Sequence, residues 1–151
     1  MSLIDYFIWS NGITKKGRPI YRNKTFDLVK ELENKKDIDQ IYIKDDCALF
    51  VGGGQLFKQG YFNWEKLPPE PSYNIKPLVF TEGKDQVNFC SIGESHVIIL
   101  ADSGNMYSWG DNYYGQIGQN NFMLPVMYEP KMIRMSEKIK SVWVYKNTNF
   151  A

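Results

Sequence analysis

The sequence has little of the chemistry from which most active sites are built. It contains one histidine, His96, and two cysteines, Cys47 and Cys90, among 151 residues. The cysteines lie far apart, with neither metal-ligand spacing nor a C-x-x-C motif, which favours reduced thiols inside the cell. A single histidine without histidine partners does not form the usual acid–base or zinc constellation. The sequence therefore predicts no catalytic residue, no metal and no cofactor.

Excess charge and long apolar runs are also missing. Lys and Arg total 18 against 17 Asp and Glu, a net charge of +1, so the balance predicts neither a nucleic-acid partner nor a membrane-surface partner. No run approaches the roughly 20 apolar residues of a membrane span. Asp5 interrupts the short apolar start, which argues against a secretory signal. We expect an intracellular protein, cytoplasmic or nuclear.

A glycine-punctuated hairpin at residues 93–118 is the strongest positive feature, reading G-E-S-H-V-I-I-L-A-D-S-G-N-M-Y-S-W-G-D-N-Y-Y-G-Q-I-G. Residues 97–100 are apolar throughout, which is typical of a strand buried on both faces. Gly104 supplies the positive φ of a turn, and residues 106–109 predict the returning strand.

This hairpin recurs along the chain. Gly54 and Gly60 stand 50 residues before Gly104 and Gly110, with an apolar and an aromatic residue at matching places between them. Many short strands with turn glycines at this period predict a β-propeller. Three further alignments support the period: residues 48–51 with 98–101, residues 6–9 with 106–109, and residues 148–151 with 96–99. The predicted repeat units are residues 1–37, 38–86, 87–138 and 139–151.

Residues 93–118 resemble the repeat of the regulator of chromosome condensation family. That repeat reads roughly G-x-x-H, an apolar strand, G-x-apolar-aromatic-x-W-G and G-Q-L-G, which this stretch matches almost completely. Around Cys47 the match is degenerate, because Asp46 stands at the histidine position and no G-Q-L-G follows Gly60. The resemblance implies a ring of seven four-stranded blades, of which this chain would be an N-terminal part.

The expected fold is all-β: a partial propeller of two to three four-stranded antiparallel blades, with a ring that this chain alone does not close. We expect the chain to stop within a repeat. Unpaired strand edges and half-covered apolar faces associate readily. The remainder of the propeller, or another chain, is therefore expected to cover the open blade edge.

Two alternatives stay open at this point. Residues 51–53 and 64–68, V-G-G and W-E-K-L-P, resemble a kelch repeat, which also has a period of about 50 residues and also forms a propeller. Residues 25–34 fit one helical turn, because Thr25 is a suitable N-cap before a partial apolar stripe. Their place in the repeat favours an outer strand instead.

Two features that suggest chemistry have plainer structural interpretations. The position of His96 in the repeat predicts a structural imidazole that hydrogen-bonds backbone between strands, rather than a catalytic or metal-binding one. The three glycines at 52–54 predict a hairpin turn rather than a phosphate cradle, because a strand and not a helix N-terminus follows them.

The candidate interaction residues lie in two loops at matching places in the repeat. Propeller loops are exposed, and aromatic residues there are favoured as interface anchors; the alternative is that the rings fold back onto the blade edges. The candidates are Tyr61, Phe62, Trp64, Asp111, Asn112, Tyr113 and Tyr114.

By analogy of fold, the predicted function is a non-enzymatic protein–protein interaction or scaffold module whose partner is another protein, a small GTPase or an assembly subunit. The alternative is guanine-nucleotide exchange on a Ran-like small GTPase, with association with chromatin, as in the founding member of the family. That activity depends on an insertion in a later blade, and no such insertion is visible here.

Overall fold

A computed structural model describes residues 20–21, 24–25, 38–44, 46–66, 75–79, 85–120 and 123–151. Within these residues the chain forms β-strands and no helix. The strands are β1 (Ile20–Tyr21), β2 (Lys24–Thr25), β3 (Ile38–Lys44), β4 (Asp46–Gly52), β5 (Gln55–Tyr61), β6 (Lys76–Pro77), β7 (Val87–Ile92), β8 (His96–Ala101), β9 (Met106–Asp111), β10 (Val126–Ile133), β11 (Trp143–Tyr145) and β12 (Thr148–Phe150).

The longer strands form two sheets of one design. Sheet A has the order β3-β4-β5-β6 and sheet B has the order β7-β8-β9-β10, each with neighbouring strands antiparallel and consecutive in the chain. Strands β11 and β12 pair as a separate hairpin, called hairpin C, and β1 pairs with β2. The all-β prediction is confirmed for the described residues.

Sheet B buries one face against sheet A and the other against the segment that leads into hairpin C. Because side chains alternate along a strand, β8 contributes Val97 and Ile99 to the core shared with sheet A, and Ile98 and Leu100 to the core under Val142, just before hairpin C. All of β8 is buried. This explains why residues 97–100 of β8 are apolar throughout, as the sequence indicated.

The predicted turn glycines also connect successive units. Gly54 and Gly104 have φ angles of 71° and 79°, which residues with a side chain rarely adopt. The Gly54 carbonyl accepts a 2.8 Å hydrogen bond from the Val87 N–H, and the Gly104 carbonyl accepts one of 3.0 Å from Ile139 N–H. Each hairpin turn therefore binds the backbone that leads into the next unit, and the glycine run at residues 52–54 forms the hairpin turn that the sequence predicts.

The two hairpins differ by one residue, which corrects the predicted alignment. Two residues separate Gly52 from its partner Gln55 in sheet A, whereas three separate Ala101 from Asn105 in sheet B. Consequently β5 and β9 correspond at a spacing of 50 residues, but β4 and β8 correspond at 49. Residues 48–51 match residues 97–100, and not 98–101 as the glycine spacing indicated.

The same offset changes which residue replaces the histidine. His96 pairs with Gly110, and the residue that pairs with Gly60 is Cys47. Cys47, and not Asp46, therefore stands at the histidine position of sheet A. The alignment of Thr148 with His96 agrees with the structure, since each follows a two-residue turn that closes a hairpin.

Two predictions fall on other parts of the chain. The strand predicted at residues 6–9 lies outside the described residues. Of the segment 25–34, where helix and strand stayed open, the structure describes only Thr25, which ends β2. In the part of the chain that the structure does describe, there is no helix of the length and apolarity needed to cross a membrane.

Candidate protein interface

The candidate loops lie at the end of the sheets opposite the glycine turns. This end carries the turn between β7 and β8, the connection from β9 to β10, and the turn of hairpin C. We call residues 111–118 the tyrosine loop, because they lead from the end of β9 through Tyr113 and Tyr114 to Gly118. The tyrosine loop contacts the β7–β8 turn directly, since Asp111 N–H donates a 2.8 Å hydrogen bond to the Ser95 carbonyl.

Side chains of the tyrosine loop bind its own backbone. The Asp111 carboxylate accepts a 3.0 Å hydrogen bond from Tyr113 N–H, and Gln116 Oε1 accepts one of 2.9 Å from Tyr114 N–H. Gln116 Nε2 also donates to Asp111 Oδ2 over 3.3 Å. Asp and Gln side chains that satisfy nearby N–H groups stabilise such turns. Both tyrosine amides are thus fixed by the loop itself.

The G-Q-I-G motif anchors the far side of the tyrosine loop. Gly115 and Gly118 have positive φ angles of 76° and 66°, and between them Gln116 and Ile117 are buried. The Ser108 hydroxyl of β9 donates a 2.6 Å hydrogen bond to the Ile117 carbonyl. The glycines therefore let the chain turn sharply enough to bring an apolar side chain into the core directly beneath the exposed residues.

Tyr113 and Tyr114 are highly exposed on the tyrosine loop. Their exposed fractions are 76% and 73%, and their rings meet edge to face at 84° with centroids 5.0 Å apart. Met123 and Leu124, further along the same connection, are also exposed. Two large rings held on an ordered backbone form a contact surface that loses little conformational entropy on binding.

The matching loop of sheet A is built differently. Phe62 is only 2% exposed; its ring stacks on Trp64 at 4.3 Å and meets Trp109 edge to face at 6.5 Å. Glu65 closes this loop by accepting a 2.9 Å hydrogen bond from Phe62 N–H and by pairing with Lys58. Here the rings fold back onto the blade, as the alternative interpretation held.

The structure therefore separates the candidate residues into three groups. Tyr113 and Tyr114 are exposed. Phe62 and Asn112 are buried, so neither side chain is available for direct contact. Partly exposed side chains make up the third group, which is Tyr61, Trp64 and Asp111.

His96 is a structural residue, but its partner differs from the prediction. Its imidazole is fully buried, and Nε2 lies 2.7 Å from Oδ1 of Asn149 in hairpin C. The partner is thus a side-chain amide of the next unit rather than backbone. Burial lowers the His96 pKa, against the opposing effects of the bond to Asn149 and the charge of Asp111. His96 is therefore a neutral imidazole whose hydrogen bond joins sheet B to hairpin C.

Two glycines leave the space that His96 occupies. A Cβ on Gly93 would lie 2.6 Å from His96 Cε1 and 2.5 Å from the Lys146 carbonyl oxygen. A Cβ on Gly110 would lie 2.5 Å from the Ser95 carbonyl oxygen and 2.6 Å from His96 Cα. These contacts are too short for any side chain, which gives the G-x-x-H and W-G parts of the motif a steric explanation.

Asn149 is the hydrogen-bond partner of His96 that the sequence prediction missed. It lies 53 positions from His96, and nothing in the local sequence distinguishes it from other surface asparagines. Cys47 and Cys90 are both buried, and burial raises the Cys90 pKa. Among the residues whose positions are described, no three His, Cys, Asp or Glu side chains converge as metal ligands.

Solved structures share this architecture. Human WBSCR16 superposes with a TM-score of 0.58 at 23% identity, over 72% of this chain and 29% of that one. Prp20p of Saccharomyces cerevisiae, whose structure was reported with its binding properties to Gsp1p and histones, gives 0.58 at 18% identity over 73% and 30%. Yeast RCC1 (Prp20) bound to Kap60 gives 0.58 at 18% identity over 73% and 28%.

The present chain thus spans 28–30% of the length of these solved structures. At sequence identities of 18–23%, the similarity shows a shared fold. Residues 91–116 match the regulator of chromosome condensation (RCC1) repeat, the stretch that contains His96 and most of the tyrosine loop. Sheets A and B are therefore blades of an unclosed, partial β-propeller, and the chain carries the repeat of the regulator of chromosome condensation family.

Proposed function

We propose that this chain is a non-enzymatic protein-interaction module that contacts another protein through Tyr113 and Tyr114. The observation that carries the proposal is the contrast between the two loops at this end of the propeller. In sheet A, Phe62 is buried and stacks on the partly exposed Trp64, whereas in sheet B a hydrogen-bonded loop holds two tyrosines outward at more than 70% exposure. Rings that are held outward by a rigid backbone are typical interface anchors.

The repeat units are part of the same proposal. Sheet A falls within residues 38–86, sheet B within residues 87–138 and hairpin C within residues 139–151, which supports unit boundaries at these positions. We further propose that the module acts inside the cell, and that the face of hairpin C not packed on sheet B is covered by the remainder of a propeller or by another chain.

Affinity capture tests the role of the tyrosines. The full chain carrying Tyr113→Ala and Tyr114→Ala should lose partners that the unaltered chain retains from a cell extract, as measured by quantitative mass spectrometry. Tyr128→Ala is the matched control, because Tyr128 is also exposed, at 48%, but lies on β10 and belongs to neither the tyrosine loop nor hairpin C. If both variants retained the same partners as the unaltered chain, the tyrosine loop would not be the interface.

Guanine-nucleotide exchange is the second candidate. It is favoured by the structural similarity to Prp20p, which was characterised together with its binding to Gsp1p and histones. A nucleotide-release assay with a panel of small GTPases separates the two candidates. Accelerated release from any member would support exchange, and unchanged release with retained binding would support a scaffold.

A further inference from the structure

One amide side chain connects hairpin C to the tyrosine loop. Asn149 Oδ1 lies 2.7 Å from His96 Nε2, while Asn149 Nδ2 donates a 2.5 Å hydrogen bond to the backbone carbonyl of Gln116. The Gln116 side chain in turn accepts from Tyr114 N–H over 2.9 Å. A continuous series of hydrogen bonds therefore runs from the buried imidazole, through the next unit, to the backbone of an exposed tyrosine.

The two bonds of Asn149 define the roles of both partners. Because Nδ2 donates to Gln116, the Asn149 oxygen faces His96 and accepts from it, so His96 carries its proton on Nε2. His96 Nδ1 is buried and has no hydrogen-bond partner. The bond to Asn149 is thus what orients the imidazole through its polar atoms.

Hairpin C is also held on sheet B by contacts that do not involve Asn149. Val144 N–H donates a 3.0 Å hydrogen bond to the Ser91 hydroxyl. Glu94 N–H donates one of 2.9 Å to the Lys146 carbonyl, and Val144 packs against the core that Ile98 and Leu100 form. Docking of the hairpin and restraint of the loop are therefore separable by substitution.

We infer that Asn149 is a positioning residue for the tyrosine loop, so that the surface presented by Tyr113 and Tyr114 depends on hairpin C being seated on sheet B. Only the expected effect on partner binding rests on the proposed function. Its physical content is that the Asn149–Gln116 bond restrains the segment carrying both tyrosines. A contact of this kind transmits the state of one unit of a repeat protein to a surface of its neighbour.

Hydrogen exchange measured by NMR on the full chain tests the inference. Asn149→Asp keeps an acceptor for His96 but removes the donor to Gln116. In this variant the Tyr114 amide should exchange at least about fivefold faster, which corresponds to the loss of one ordinary hydrogen bond. The amides of Val144 and Glu94 should keep their exchange rates, because hairpin C remains docked.

Four further variants distinguish positioning from general weakening. Asn149→Ala removes both bonds and should also release the Tyr114 amide. His96→Gln retains an amide donor near the position of Nε2 and should preserve Tyr114 protection, whereas His96→Ala should lose it. Thr148→Ala, at an exposed position beside Asn149, should leave every one of these amides unchanged.

Two results would overturn the inference. One is unchanged Tyr114 exchange in both Asn149 variants. The other is equal loss of protection at Tyr114, Val144 and Glu94, which would show that Asn149 only stabilises the hairpin. Failure of the proposed function is distinguishable from both, because capture that is insensitive to Tyr113→Ala and Tyr114→Ala would remove the interface while leaving the exchange results in place.

Discussion

Sheets A and B share one hairpin design and differ in how each holds the unit that follows. In sheet B, His96 lies opposite Gly110 and bonds to Asn149 of hairpin C. In sheet A, the corresponding residue is Cys47, a small buried side chain opposite Gly60. The backbone scaffold of the repeat is thus retained without the imidazole, which shows that the histidine serves the junction between units rather than the hairpin itself.

The residue three positions earlier also differs between the two sheets, and for a related steric reason. Gly93 precedes His96 and leaves no room for a Cβ, because the imidazole and the Lys146 carbonyl occupy that space. At the equivalent place, paired with Cys47, sheet A has Lys44. A side chain is tolerated there when no ring lies above it. The glycine and the histidine of the motif are therefore one steric unit.

The largest expected effect contrasts Trp109 with its counterpart Gln59. Trp109 is fully buried in the core between the sheets, so Trp109→Ala should lower the free energy of unfolding by about 3–5 kcal/mol. Gln59 is 2% exposed but contributes less apolar surface, so Gln59→Ala should cost about 1 kcal/mol. Urea denaturation followed by circular dichroism measures both. Equal losses would contradict a core centred on Trp109.

A double-mutant cycle tests the steric unit. Gly93→Ala should destabilise the protein by about 1–3 kcal/mol, since a methyl group would overlap the imidazole. In a His96→Cys background, which copies sheet A, the same substitution should cost less by roughly 0.5–1 kcal/mol. Relief should be partial because the Lys146 carbonyl remains close. Strict additivity in the denaturation cycle would show that Gly93 and His96 act independently.

The buried imidazole of His96 predicts that the free energy of unfolding depends on pH. Sheet A has no histidine at the corresponding position, which is Cys47. Burial lowers the His96 pKa in the folded protein below its ordinary value of 6.5, so the unfolded chain binds the proton more readily. The stabilising contribution is then complete above pH 6.5 and declines as pH falls below it. The slope for one proton is at most about 1.4 kcal/mol per pH unit.

The contribution of His96 is isolated by comparison with His96→Gln, which has no titrating group at this site. The difference in unfolding free energy between the two proteins should narrow as pH is lowered from about 7.5 to about 5, since the titration of His96 is present in one protein and absent from the other. Parallel pH profiles would contradict a neutral, buried His96. Asp85, whose pKa is lowered by hydrogen bonds from Asn105 and Tyr107, changes stability only at more acidic pH.

The smallest expected effect on stability belongs to the tyrosines. Tyr113→Ala and Tyr114→Ala should each change the free energy of unfolding by no more than about 0.5 kcal/mol, because both side chains are exposed. Phe62→Ala, in the matching loop of sheet A, should cost about 3 kcal/mol or more, because its ring is buried between Trp64 and Trp109. Thermal denaturation measures the contrast, and similar losses at the three positions would contradict the distinction between the loops.

Much of the fold follows from the sequence because local physics determines it. The positive φ angles of Gly54 and Gly104 belong to turns that glycine alone forms easily, and the apolar run of β8 reflects burial on both faces. The spacing of 49 rather than 50 residues between β4 and β8 does not follow from local physics. A two-residue and a three-residue turn both contain a glycine, and only strand pairing shows which residue lies opposite Gly60 or Gly110.

The candidate site is less predictable because it depends on contacts between units. Nothing in the local sequence shows that Phe62 is covered by Trp109 while Tyr113 remains uncovered, since all three are aromatic residues near the end of a strand. The bond between His96 and Asn149 spans 53 positions. Its formation depends on how hairpin C packs against sheet B, which spacing within one repeat does not determine.

Cross-strand nuclear Overhauser effects are the most direct test of the claim that sheets A and B contain the same hairpin. In this account Cys47 of sheet A takes the position that His96 has in sheet B. We predict contacts between backbone protons of Cys47 and Gly60, and between those of His96 and Gly110. Contacts that instead placed Asp46 opposite Gly60, or Asp111 opposite His96, would contradict the register and with it the correspondence between the two sheets.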